Sequence, residues 1–202
     1  LTPSVAPPFL GVPTPVFGGR SGGGITSVPM TLLPLDPDQL LSTTRAVRKR
    51  LDFDRPVEDD LVRECVAMAQ QAPAGSNVST AHFVVIRDAD KRAAVGEIYR
   101  QCFEIYRNSP MYAGGIDKGS DEANRQQQRV KNSADFLADH MGKAPVLVIA
   151  CNTPRIDKSS PMGVSSLMAN VLPASWSFML AARARGLGTS WTTVHLMMEQ
   201  QT

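Results

Sequence analysis

Four cationic side chains fall within six consecutive positions, at Arg45, Arg48, Lys49 and Arg50. Guanidinium forks hold phosphate or carboxylate through paired hydrogen bonds, so this cluster can act as an anion clamp. A solvated basic helix end is the competing reading, and the cluster alone does not separate the two. A second stretch, Ala72-Pro73-Ala74-Gly75-Ser76-Asn77, gathers Pro, Gly and Asn, each a turn former for its own backbone reason. A third, Gly186-Leu187-Gly188-Thr189-Ser190-Trp191, offers small residues whose backbone N–H groups can approach a flat ligand closely. The same residues also suit an ordinary helix–turn–strand corner.

What is missing narrows the chemistry further. The sequence holds no G-x-G-x-x-G after a strand, no Walker A, no G-x-S-x-G and no H-E-x-x-H. Cys65, Cys102 and Cys151 are far apart, with no histidine at ligand spacing, so neither a disulfide framework nor a metal site is expected. His82, His140 and His195 are equally scattered, and no spacing nominates a nucleophile or an acid–base pair. If the chain is an enzyme, a cofactor carries its chemistry.

The elements that must position these stretches follow from periodicity. Val164 to Ala184 is apolar on every side of the implied helix, through Leu167, Met168, Val171, Leu172, Trp176, Phe178, Met179 and Leu180. A helix with no polar face is buried. At about 20 residues it could span a bilayer, but Asn170, Pro173 and the closing Arg183 and Arg185 favour a core helix, or one shared between two subunits. Gly186 ends it as a C-cap, and Gly188 to Val194 reads as a short strand. Pro56 to Gln71 is an amphipathic helix with a stripe at Leu61, Cys65, Met68 and Ala69. Phe83 to Ile86 and Pro145 to Cys151 read as strands buried on both faces. Between them, helices are expected over Ala89–Tyr106 and Asp121–Met141, joined by a loop, Asn108 to Lys118, that suits a mobile cover. Arg155 to Gly163 reads as a polar loop. The fold class is α+β, a three-layer α-β-α arrangement with helices on both faces of a central mixed sheet.

Composition sets the outer bounds. A chain of 202 residues, 43% hydrophobic and 20% charged, is a globular composition of one domain or two small ones. A formal charge of +2 argues against a nucleic-acid or anionic-membrane partner. The unpaired cysteines point to a reducing compartment, the cytoplasm. Residues 1–29 are rich in Pro and Gly without apolar period and read as a flexible extension. They lack the basic start and apolar centre of a secretory signal. Met30 is the expected start of a folded domain covering residues 30–202.

In order and spacing, three stretches resemble the nitroreductase-like FMN flavoprotein family over about Leu40 to Val194. Thr44-Arg45-Ala46-Val47-Arg48 is similar to its Arg-x-Ser-x-Arg signature, with Pro56-Val57 opening the next helix. Ala72 to Asn77 resembles its Ala-Pro-Ser-Ser/Gly-x-Asn turn, and Gly186 to Trp191 its Gly-Leu-Gly-Ser-x-Trp corner. The chain departs from the pattern at Thr44 and Ala46. It departs again at Ser79, Thr80 and Ala81, where the family has Gln-Pro-Trp. A last segment that supplies a further cation to the flavin phosphate is expected to be missing.

The resemblance implies a homodimer with FMN in clefts between subunits. Arg45, Ala46, Val47 and Arg48 would hold the phosphate and neighbouring flavin edge. Pro73, Ala74, Gly75 and Asn77 would reach the ring from the partner subunit, and Gly188, Thr189, Ser190, Trp191 and Thr192 would lie beside it. The implied activity is NADH- or NADPH-dependent reduction of nitroaromatics, quinones or similar small electron acceptors by ping-pong hydride transfer. No side chain is assigned as catalytic. The alternatives are a flavin-binding store or sensor without efficient turnover, a flavin-cleaving dimethylbenzimidazole synthase, or a reductive dehalogenase.

Overall fold

A computed structural model describes residues 32–153, 155 and 160–202. The expected extension at 1–29 lies outside the described residues, as does most of the loop at 154–159. The helices are α1 (Pro37–Thr43), α2 (Asp59–Ala69), α3 (Ala89–Arg107), α4 (Asp121–His140) and α5 (Pro161–Ala184), with strands β1 (Ala81–Ile86) and β2 (Leu147–Asn152).

The longest helix, α5, runs 24 residues. Ser160 caps its start by accepting from the Gly163 N–H at 3.2 Å, and Pro161 occupies the first turn, where no N–H is needed. At the other end Gly186 takes φ +78°. The Leu187 N–H reaches the Ala182 carbonyl at 2.9 Å and the Gly186 N–H the Arg183 carbonyl at 3.1 Å. These paired bonds form a Schellman motif, so Gly186 ends the helix as its sequence position implies. Leu187 folds back onto Cys65, Ala181 and Ala182. The contact between α2 and α5 uses small residues, with Cys65, Ala69 and Ala182 fully buried.

α5 is long and apolar enough by length and composition to cross a membrane, yet it is neither buried on every side nor alone. One side packs on α2 and on the sheet, where Phe83 and Phe178 stack at 5.7 Å. The other exposes Met168, Leu172 and Trp176, three positions four residues apart and hence on one stripe.

Among the described residues the sheet has two antiparallel strands, running from the pair Ala81–Asn152 to Ile86–Leu147. It is not a mixed sheet. The expected strand at Gly188 to Val194 is absent, because its backbone bonds to a loop and not to a sheet edge. A 3-10 helix, Val194–Gln201, follows it. Neither strand is buried on both faces, and Val84 and Val85 stand exposed. The α2 stripe is also rotated from the expected one. Val62 joins Cys65 and Ala69 inside, and Met68 faces out.

A second core lies between α3 and α4, built from Tyr99, Phe103, Tyr112, Leu137, Ala138 and Met141. It draws in the loop expected to be a mobile cover. The Tyr112 hydroxyl donates to Asp135 at 2.8 Å, and the Ala113 N–H donates to the Tyr106 hydroxyl at 3.0 Å. The segment is anchored.

Candidate functional site

The basic cluster is not a helix end continued. α1 closes at Thr43, and Thr44 is buried, its hydroxyl donating to the Leu40 carbonyl at 2.6 Å. A side-chain bond back to that carbonyl competes with helix propagation. Arg45 and Arg48 therefore sit on a loop, either side of Val47. The Val47 N–H donates to the Thr189 carbonyl at 2.8 Å. That bond brings the basic loop and the glycine corner together.

Gly188 is what permits the approach. A Cβ there would stand 3.1 Å from Val47 Cβ and 3.2 Å from Leu51 Cδ2. Beyond it, Trp191 is exposed, and Thr192 reaches back to α3, donating to the Tyr99 hydroxyl at 3.3 Å. Burial, the largest influence, pushes the Tyr99 phenol pKa above its ordinary value. The phenol stays protonated across the working range.

Polar groups at this corner lack partners. Ser190 Oγ is buried without a hydrogen bond, one of two such side-chain atoms among the described residues, the other being Arg87 Nη2. The Arg48 guanidinium has no ion pair or hydrogen bond among the described residues. Arg45 spends one N–H on the adjacent Thr44 carbonyl at 2.8 Å. Buried polar groups are normally satisfied. A corner rich in unspent donors and positive charge fits an anionic group rich in acceptors, and FMN has that chemistry.

The third stretch lies elsewhere. Gly75 to Asn77 forms a 3-10 turn in which Ser76 and Asn77 take φ 54° and 58°. Two successive non-glycine residues in the left-handed region mark a strained turn. Its position is set by α5, whose Asn170 Oδ1 accepts from the Gly75 N–H at 3.0 Å. Nothing stands within 4 Å of a Cβ at Gly75. Pro73, Ala74, Gly75 and Asn77 are thus held against α5 through Asn170, two positions from Met168 and Leu172 and hence on a different side of the helix from the exposed stripe. Among the described residues no hydrogen bond links them to Arg45–Arg48 or to Gly188–Thr192. In the sequence Asn170 reads only as an interruption of the helix, and nothing singles out Tyr99 within Ala89–Tyr106. A polar side chain in an otherwise apolar helix was the available signal for the first.

Among the described residues no group of His, Cys, Asp and Glu is placed to hold a metal ion, and the three cysteines are unpaired.

Residues 41–200 match the sequence model of the Nitroreductase family. No curated protein matches the chain. Solved structures share the fold. A BluB-like flavoprotein from Clostridium difficile 630 is 24% identical, with a TM-score of 0.55, and the match covers 83% of this chain and 78% of that one. Iodotyrosine deiodinase, solved with FMN and 3-iodo-L-tyrosine, is 16% identical with a TM-score of 0.57, covering 81% and 80%. A nitroreductase-like protein from Bacillus cereus is 16% identical with a TM-score of 0.52, covering 81% and 76%. With the family signature running through the basic loop, the turn and the glycine corner, the chain belongs to the nitroreductase family.

Proposed function

We propose that residues 30–202 form an FMN-dependent NAD(P)H oxidoreductase that reduces nitroaromatics, quinones or similar small electrophiles. The observation that carries this reading is the Val47–Thr189 junction, which sets Arg45 and Arg48 beside a corner whose Ser190 hydroxyl has no partner. In this reading Arg45 and Arg48 hold the phosphate and the adjoining edge of FMN. Gly188 to Thr192 offer backbone and hydroxyl groups to its ring. Bound FMN would supply hydride acceptance from NADH or NADPH and its delivery to the acceptor. The protein's part is binding and orientation, which can contribute much of the rate without a side-chain acid.

The same reading makes the protein a homodimer of the three-layer type. The turn at Pro73–Asn77 is bonded to α5 through Asn170, and the same helix exposes Met168, Leu172 and Trp176. In this reading a second copy packs on α5, and its turn reaches the first copy's corner and completes the site. The unpaired cysteines support a reducing, cytoplasmic setting.

The test is an absorbance spectrum of the purified full chain, anaerobically, before and after NADPH and then NADH. A flavin spectrum bleached by either nucleotide and restored by a nitroaromatic or quinone is expected. A flavin spectrum that neither bleaches would favour a store or sensor. A colourless protein that FMN cannot reconstitute would end the proposal.

A further inference from the structure

Donors at the glycine corner outnumber acceptors, and one of them comes from the core. Thr192 Oγ1 donates to the Tyr99 hydroxyl at 3.3 Å and accepts a long bond from the Val194 N–H at 3.5 Å. Two hydroxyls that share one hydrogen bond spend one proton between them, so the Tyr99–Thr192 pair keeps one proton with no acceptor among the described residues, although Tyr99 is only 3% exposed. The Ser190 hydroxyl, two residues before Thr192, is buried and unpartnered as well. Arg48 is near enough for its charge to act on the same phenol. The corner thus holds two unspent hydroxyl protons, one on Ser190 and one on the Tyr99–Thr192 pair, beside a half-buried Arg48, and leaving buried donors unmade is costly.

Packing alone does not ask for this hydroxyl. The Tyr99 ring lies 5.9 Å from Phe103 in the α3–α4 core, and a phenylalanine would fill the same ring volume. The oxygen is the part that leaves the aromatic cluster and meets Thr192. A tyrosine whose ring belongs to the core and whose oxygen belongs to the corner ties the one to the other.

We propose that Tyr99 is a ligand-binding residue of this site, the one proton left over from its bond with Thr192 being donated to an acceptor atom on the group that Arg48 holds. The ligand class follows from the donors. It is anionic or carbonyl-rich, with acceptors on an edge that an arginine, a phenol and a serine hydroxyl can meet together. The inference rests on reading the corner as an FMN site, where FMN is that ligand.

The test is Tyr99→Phe in the full chain, which removes one O–H and keeps the ring. The FMN dissociation constant, measured by fluorescence titration, should rise about tenfold, the loss expected of one hydrogen bond. The reduction potential of the bound flavin should shift as well. Unfolding of the FMN-free protein should be nearly unchanged, because the one unspent proton of the pair then resides on Thr192. Thr192→Val should weaken FMN binding too, and the double variant should lose less than the sum, because the two hydroxyls act as a unit. Tyr99→Phe binding FMN as tightly as wild type, at the same potential, would overturn the role of Tyr99 and leave the FMN site standing. A wild-type chain that binds no FMN would overturn both. A variant that melts earlier without FMN but binds it normally would reduce Tyr99 to a packing residue.

Discussion

The Val47 N–H donates to the Thr189 carbonyl at 2.8 Å, while Val47 Cβ stands 3.1 Å from where a side chain on Gly188 would begin. One contact thus both joins the basic loop to the corner and forbids a Cβ at its centre. Gly188→Ala must push Val47 and Leu51 back by a few tenths of an ångström, and a branch-point carbon cannot swing aside. A cost of about 1 kcal/mol is expected, seen as a melting temperature about 2–4 °C lower. FMN uptake should fall with it. An alanine variant as stable and as yellow as wild type would show that the corner yields freely.

Arg48→Ala tests the clamp itself. Because the guanidinium has no partner among the described residues, the FMN-free protein should keep its melting temperature. FMN affinity should drop roughly 10- to 100-fold, the range for charge-assisted hydrogen bonds. Flavin retained through gel filtration as in wild type would remove Arg48 from the site.

Some of this was legible in the sequence and some was not, for reasons particular residues show. Gly186 announced its helix end because a left-handed cap strongly favours glycine, and φ +78° is where it sits. The nearness of Arg45–Arg48 to Gly188–Thr192 was legible only through the family resemblance, since no local rule joins two such distant segments. The strand expected at Gly188 to Val194 failed because strands exist by pairing, and Thr189 spends its carbonyl on Val47. Phe83 to Ile86 read as doubly buried because an apolar run cannot say whether its second cover lies in the same chain; Val84 and Val85 have none here. Tyr99 was hidden because its ring obeys the helix period and its oxygen does not.

The second core depends on a backbone contact between two glycines. A Cβ at Gly96 of α3 would lie 2.7 Å from Gly142 Cα and N. Neither is a movable side-chain end, so α3 and the turn at Met141–Lys143 would have to part. Gly96→Ala should cost about 3 kcal/mol or more. The reverse substitution, Gly142→Ala, meets Ala93 Cα and the Arg92 carbonyl at 3.1 Å and should cost less. Urea midpoints order the two, and the opposite order would contradict the packing.

The stripe of Met168, Leu172 and Trp176 is the surface a second copy would cover. Trp176→Glu places a charge there without touching the α2 side of the helix. The variant should remain folded by circular dichroism but elute as a monomer in size-exclusion chromatography with light scattering, and lose FMN. A variant that still dimerises and holds FMN would place the interface elsewhere.

His195, half-buried at the start of the last 3-10 helix, gives a pH signature of its own. Burial holds its imidazole pKa below the ordinary 6.5, which favours the neutral ring in the folded state. The unfolded chain has no such burial and takes up its proton at higher pH. Between the two pKa values the unfolded state binds more protons, so stability rises with pH there. The contribution is complete above about pH 6.5 and is lost as pH falls through the folded value. Carboxylates held low, such as Asp117 by the Gly119 N–H and Glu97 at about 2 by Arg100, give up their share only at more acid pH. The urea midpoint should therefore fall between pH 7 and pH 5, and His195→Gln should flatten that fall while leaving the lower acid limb in place. An equal fall in the variant would assign the titration to another group.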